Sequence, residues 1–210
     1  MNQSFFYLTI LLFGVCGCQT ADKKTMLIKG EISSDYNGQI VYLVPRPHPT
    51  PESVDSISIE NGTFTFTVPA DSAIYDITIS RKAKANVQRL LIIAEKGILE
   101  VKIAISSSSC GTPLNDQLQH WKEQMEVSGQ KAILLSQKIS EIKDNRQLIE
   151  ALKEEREKIY ENFSDSTFNF IKRNQNPLGG YLFMTMENMF NEQQCNELKK
   201  LGIDKWKTKT

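Results

Sequence analysis

Asn61-Gly62-Thr63-Phe64-Thr65-Phe66-Thr67-Val68 is the stretch whose reading decides the fold class. Phe64, Phe66 and Val68 alternate with threonines. Apolar side chains therefore fall on one face of an extended chain and hydroxyls on the other, the pattern of a half-buried strand. Asn61-Gly62 just ahead is a hairpin signal, because a tight two-residue turn needs positive backbone φ, which Asn and Gly tolerate. The reading pairs residues 56–59 with residues 63–68.

The same logic extends outward. Asn37-Gly38 predicts a second hairpin, joining a strand over 26–32 to one over 39–44. Tyr75, Ile77 and Ile79 alternate again, and residues 90–93 form a continuous apolar run. Glu95-Lys96-Gly97 turns that run into Leu99, Val101, Ile103 and Ile105. About seven short strands with no helix between them predict an antiparallel β-sandwich or barrel over residues 26–105. Pro45, Pro47, Pro49 and Pro51 predict an extended exposed loop, since proline cannot donate to a sheet ladder.

At Ser106-Ser107-Ser108-Ser109 the period changes, and residues 106–113 read as a flexible serine-rich joint. Beyond it Leu114, Leu118, Trp121, Met125, Ala132, Leu135, Ile139 and Ile142 step by three, four or seven along one helix face. Asp144-Asn145 breaks this helix. A second runs through Leu148, Leu152, Ile159, Phe163 and Phe170 to Asn174, so the two predict a long antiparallel helical hairpin. A shorter apolar segment follows, and Gly179-Gly180 after Pro177 reads as a helix-breaking turn. A last helix opens at Asn191 with Gln194 in a capping box and closes at Gly202. The helical region spans 114–203, and 204–210 is a polar tail expected to fray. The fold class is therefore α+β.

Composition excludes several functions. Lys plus Arg is 25 and Asp plus Glu is 25, a formal net charge of zero. Such a chain lacks the positive field that phosphate backbones select, so no nucleic-acid partner is expected. The two histidines, His48 and His120, have no second His or Cys at ligand spacing. There is no Gly-x-Ser-x-Gly, no phosphate-loop Gly-Lys-Ser/Thr and no Cys-x-x-Cys. Neither a catalytic residue nor a metal or cofactor is expected. Arg81-Lys82-Ala83-Lys84 reads as a solvated turn, and Glu154-Glu155-Arg156-Glu157-Lys158 as a charged helix face tied by ion pairs along the helix.

The N-terminus carries an export signal. The apolar run over 5–13 is too short to span a bilayer, which takes about 20 residues, and it leads into small residues as a signal peptide does. Val15-Cys16-Gly17-Cys18 resembles the lipobox of bacterial lipoproteins. Residues 1–17 are then the leader, Cys18 takes the lipid, and residues 18–25 form a short polar tether. Gln19 after the lipidated cysteine matches passage to the outer membrane, facing the periplasm. No Lys or Arg precedes the apolar run, which departs from the usual basic start. Cys110 and Cys195 remain. One disulfide between them is chemically permitted in an oxidising envelope; two isolated thiols are the favoured reading.

Several segments together resemble a known family. They are Ile28-Lys29-Gly30-Glu31-Ile32, Gly38-Gln39-Ile40-Val41-Tyr42-Leu43, Asp55-Ser56 ahead of Asn61-Gly62-Thr63-Phe64, Ala94-Glu95-Lys96-Gly97, and Cys110-Gly111-Thr112-Pro113-Leu114-Asn115-Asp116. In this order they resemble the N-terminal domain of unknown function in envelope lipoproteins that carry a C-terminal thioredoxin-like domain of the AhpC/TSA or TlpA type. Phe170-Ile171-Lys172 and Asn176-Pro177 ahead of Gly180-Tyr181 resemble the linker of those proteins. In them the redox work belongs to a Cys-x-x-Cys whose depressed thiol pKa gives a reactive thiolate. That motif is missing here, so the resemblance implies no thiol-disulfide activity for any residue of this chain. The resulting expectation is a lipid-anchored, non-catalytic docking or dimerisation module. Two alternatives accompany it: an accessory to a separately encoded thioredoxin-like protein, and a glycan- or peptide-binding lipoprotein that uses the proline loop and the open sheet face, which an exposed aromatic cluster near Tyr42 and Tyr75 would support.

Overall fold

The computed structural model describes residues 24–46, 48–80 and 86–208. The leader, Cys16, Cys18, Pro47 and the basic cluster at 81–84 lie outside the described residues. Eight strands open the described chain: β1 Thr25–Glu31, β2 Ile40–Arg46, β3 Asp55–Ser58, β4 Thr63–Pro69, β5 Ile74–Ile79, β6 Leu90–Ile93, β7 Gly97–Lys102 and β8 Ser108–Cys110. They form two four-stranded sheets, in the orders β4-β1-β7-β8 and β3-β2-β5-β6. Every neighbouring pair is antiparallel except β1 and β7, which run parallel with Ile28 beside Leu99.

Alternation builds the core between the sheets. Met26 and Ile28 of β1, Phe64, Phe66 and Val68 of β4, and Leu99 and Val101 of β7 face inward. Val41, Leu43, Ile77, Leu90 and Ile92 of the other sheet meet them. The Phe64 ring lies over Gly30, where a Cβ would sit 2.0 Å from it. Only glycine leaves room for that ring on the inner face. Full burial of each large apolar side chain here stabilises the fold by about 1.5–3 kcal/mol.

Both Asn-Gly turns reverse the chain, but neither makes a hairpin within one sheet. Asn61 and Gly62 hold φ of 52° and 71°, as such a turn requires, and Glu60 and Thr63 exchange backbone hydrogen bonds across it. Yet β3 pairs with β2, and β4 with β1. Asn37-Gly38 likewise lies between β1 and β2 of different sheets. The two turns hold each other: Gly62 N–H donates to Asn37 Oδ1 at 2.8 Å, and Gly38 N–H donates to the Ile59 carbonyl. They are corners of a sandwich. Turn chemistry dictates a reversal, and the choice of sheet comes from burial on both sides. Pro45 also departs from the expected loop, since it lies within β2. Because β3 runs beside residues 40–43 alone, the nitrogen of Pro45 faces no ladder.

The serine run is not a joint. Ser108–Cys110 forms β8 on β7, and Ser107 and Ser109 are buried. Ser107 Oγ donates to the Gln88 carbonyl at 2.6 Å. The first long helix, α1 Pro113–Glu141, follows at once and seals the side of the sandwich where β6 and β8 are both edge strands. Unpaired edge groups invite pairing with another chain, and here α1 side chains occupy them. Asn115 Oδ1 accepts the Ile93 N–H at 2.9 Å, while its Nδ2 donates to the Ile93 carbonyl at 2.8 Å and to Thr112 Oγ1 at 2.8 Å. Gln119 Oε1 accepts the Ser109 N–H at 3.3 Å, and Lys122 Nζ reaches the Ser107 carbonyl at 3.5 Å. Burial pushes the Lys122 ammonium pKa down, against the opposing pull of Glu123 and Glu126. Glu95 from the β6–β7 turn accepts the N–H groups of Leu114 and Asn115, and its charge suits a helix N-terminus.

A second core forms on the outer face of β5 and β6. Ile74 and Ile93 pack there against Leu118 and Trp121 of α1, Phe168 and Ile171 of α2 Arg146–Arg173, and Leu178, Leu182 and Phe183 of α3 Pro177–Met186. Leu198 of α4 Glu192–Lys200 and Ile203 close it. Trp121 Nε1 donates to the buried Thr167 hydroxyl at 3.2 Å. The continuous apolar run of β6 is thereby explained: Leu90 and Ile92 fill one core, Ile93 the other. The remainder of α1 and α2 form the expected antiparallel hairpin, with Asn145 capping α2 through the Leu148 N–H. The Asn191 and Gln194 capping box is formed. Two expectations change. Gly179 and Gly180 lie inside α3, where a Cβ on Gly179 would meet the Asn174 carbonyl at 1.8 Å. Residues 203–208 continue as a 3₁₀ helix instead of fraying.

Replacing Asn115 with Leu strands the Ile93 N–H and carbonyl in an apolar seam. The expected loss is about 3 kcal/mol of stability, read as a lowered urea midpoint at unchanged slope.

Candidate functional site

The outer face of the first sheet, beside the start of α1, is a concave surface of about 720 Å³. The pleat explains its lining. With Met26, Ile28 and Phe64 turned inward, Leu27, Lys29, Glu31 and Thr65 must face out. Register then sets Lys29 beside Glu100 and Glu31 beside Lys102, a grid of opposite charges across β1 and β7. Glu100 in turn lies beside Cys110 of β8. Gln119 and Glu123 of α1 form the groove's wall. Charges of both signs, one thiol and one apolar patch suit a polar, extended ligand or a protein edge.

Cys110 is exposed at this groove, and Cys195 is half-buried in α4. Cys195 Sγ lies 3.8 Å from the Glu187 carbonyl, which it can meet as a weak donor. Both thiols are free, so the permitted disulfide is not formed. Cys18 lies outside the described residues. His48 and His120 are exposed and far apart in the chain; His120 Nε2 sits 3.0 Å from Gln124 Nε2. Among the described residues no three His, Cys, Asp or Glu side chains are grouped to hold a metal ion. No helix there is long and apolar enough to cross a membrane. Tyr42 and Tyr75 are not brought together: Tyr42 pairs with Thr78, and Tyr75 with Pro45, so they stand on opposite faces of the second sheet. Burial, then the nearby Asp71 charge, pushes the Tyr75 phenol pKa up.

Sequence reasoning missed a charged cluster where α3 meets the second sheet. Asp76 is 6% exposed in the middle of β5. Arg46 Nε donates to its carboxylate at 2.7 Å, and the Arg46 Nη2 also bridges it. Arg89 stands 3.8 Å away. Tyr181 of α3 feels all three charges, and burial drives its phenol pKa upward. The available signal was an aspartate inside an otherwise apolar strand, with an arginine on the neighbouring strand. The two arginines neutralise a buried carboxylate on the face of the sheet that α3 covers.

The long hairpin is the other unusual surface. Between residues 123 and 162 only Ala132 and Leu135 are fully buried. Val127, Ile133 and Leu134 are 51%, 58% and 57% exposed. Leu148 and Tyr160 of α2 are exposed as well. Exposed apolar side chains thus gather on this hairpin.

Asp76→Ala leaves Arg46 half-buried without its partner, and should cost about 2 kcal/mol in equilibrium unfolding. An unchanged midpoint would show that the Asp76 and Arg46 pair does not stabilise the fold. No curated protein and no solved structure matches this chain. A family model described as a domain of unknown function, DUF4369, matches residues 26–132, from the first strand into the middle of α1. The chain belongs to that family.

Proposed function

We propose that this protein is a bacterial envelope component, anchored by lipid on Cys18, whose folded part is a non-catalytic docking or dimerisation module. The observation that carries the reading is the helical hairpin, with Val127, Ile133, Leu134, Leu148 and Tyr160 in solvent. Truly solvated helices place charged or polar groups at such positions. Exposed apolar residues on a firmly based arm suit contact with another protein. The lipobox-like Val15-Cys16-Gly17-Cys18 supports the anchor. Several acyl chains on Cys18, at roughly 0.8 kcal/mol per buried methylene, hold a protein on a bilayer essentially permanently.

A second reading makes the chain an accessory of a separately encoded thiol-disulfide oxidoreductase, in keeping with the resemblance to the N-terminal part of thioredoxin-like lipoproteins. The exposed, unpaired Cys110 at the edge of a groove favours it.

Cys18→Ala should move the protein from the membrane fraction to the soluble fraction on cell fractionation. Retention in the membrane would remove the anchor from the account. Purifying the wild-type protein from detergent-solubilised envelopes distinguishes the two readings. A thioredoxin-like companion supports the second. The chain paired with itself, or with a protein of another class, supports the first.

A further inference from the structure

We infer that one face of α1 is a self-complementary docking surface through which two copies of this chain pair in antiparallel fashion. The inference deepens the docking-or-dimerisation reading and rests on it. His120, Glu123, Val127, Gln130, Lys131, Leu134, Lys138 and Glu141 lie within roughly 100° of the helix circumference. All eight are exposed. They flank the seam with α2, which Ala132 and Leu135 of α1 fill.

The order of these residues suits a two-fold axis passing between Gln130 and Lys131. Turned end for end about that point, α1 sets each residue against its counterpart at equal distance from the axis. Val127 then meets Leu134 of the second copy, and Gln130 meets Lys131. Outside them Glu123 meets Lys138, and His120 meets Glu141. Apolar contacts thus lie near the centre, and opposite charges or a hydrogen-bonding pair lie outside, each formed twice by symmetry. A parallel arrangement would instead set Glu123 against Glu123 and Lys138 against Lys138, so the charges select the antiparallel one. Among the described residues, no ion pair within the chain engages Lys131, Lys138 or Glu141. A groove of about 410 Å³ between α1 and α2, lined by His120, Glu123, Val127 and Asn162, offers room for the second helix's end.

The face from His120 to Glu141 is about 32 Å long and roughly 10 Å wide. That is well short of the ~800 Å² per partner of a standard stable complex. Pairing should therefore be weak in free solution. It becomes effective where an anchor confines both copies to one surface at high local concentration.

The test is cross-linking in intact cells that express the full-length chain on a Cys110→Ser background. Cells producing Val127→Cys and Leu134→Cys chains together should form an oxidant-driven disulfide dimer in high yield, above that of either variant alone. Adding Glu123→Lys should lower that yield roughly tenfold. Adding Lys138→Glu to Glu123→Lys should restore it, since the swap re-forms the pairs with reversed sign. All these positions are exposed, so folding is preserved. Equal yields for the mixed and single variants, or failure of the charge swap to rescue, would overturn the antiparallel α1 pairing. Energy transfer between labelled copies reads dimerisation independently of this face. A dimer indifferent to Glu123 and Lys138 overturns this inference alone. No dimer and no companion protein in envelopes overturns the docking reading as well.

Discussion

The side-chain amide of Asn115 holds the backbone of Ile93 as a neighbouring strand would, accepting its N–H and donating to its carbonyl. A single residue thus ends β6 as an edge strand and fixes the start of α1 against the second sheet. Asn suits the role because its amide carries a donor and an acceptor at the spacing of a peptide group. Glu95 fixes the same helix end from the opposite side, through the Leu114 and Asn115 N–H groups. One and two turns further on, Gln119 meets the backbone of β8 in the first sheet and Lys122 that of Ser107 just before it. Consecutive turns of α1 therefore bind edges in both sheets and close one side of the sandwich.

From that joint the rest of the molecule follows. With α1 fixed, Leu118 and Trp121 come down on Ile74 and Ile93, and α2, α3 and α4 complete the second core around them. β5 and β6 are lined on both faces, so the sandwich and the helices share a sheet instead of meeting at a flexible boundary. Leu178, Leu182 and Phe183 hold α3 on the same seam, and Arg46 neutralises the buried Asp76 there. The consequence for function is mechanical. The hairpin projects from a base held on several sides, which sets the direction in which it leaves the sandwich.

The sequence made local chemistry legible and long-range pairing much less so. Alternation at Phe64, Phe66 and Val68, the positive-φ turn at Asn61-Gly62, the helix break at Asn145 and the capping box at Asn191 each depend on residues a few positions apart. All of them appear in the structure. Which strands pair is decided by burial across the whole domain, and that is why both expected hairpins became corners between sheets. Serine-rich composition suggested looseness, but Ser107 and Ser109 are buried and β8 is a strand. Hydroxyls satisfied by Gln88 and neighbouring backbone look, in sequence, like those left in water. The candidate surfaces were hidden for the same reason. The groove beside Cys110 is assembled from four strands and a helix. The α1 face was half visible: Leu118, Trp121, Ala132 and Leu135 of the expected apolar stripe are buried, whereas Met125 is exposed, and the pattern beside that stripe becomes meaningful once the two helices are seen together.

The proposed anchor and the fold answer different questions. Cys18 would decide where the protein is, and the hairpin what it meets there. Linking them is the claim that α1 is immobile where it crosses the sheets and only thinly supported beyond. Native-state hydrogen exchange tests this most directly. The account predicts that the amides of Ile93 and Ser109, bonded to side chains of α1, exchange only on global unfolding, together with Leu99 in the sandwich core. Amides between residues 127 and 160 should exchange through smaller openings of lower free energy. If Ile93 and Ser109 exchange as readily as the hairpin, α1 leaves the sheets before the fold is lost, and the account of a fixed platform is wrong.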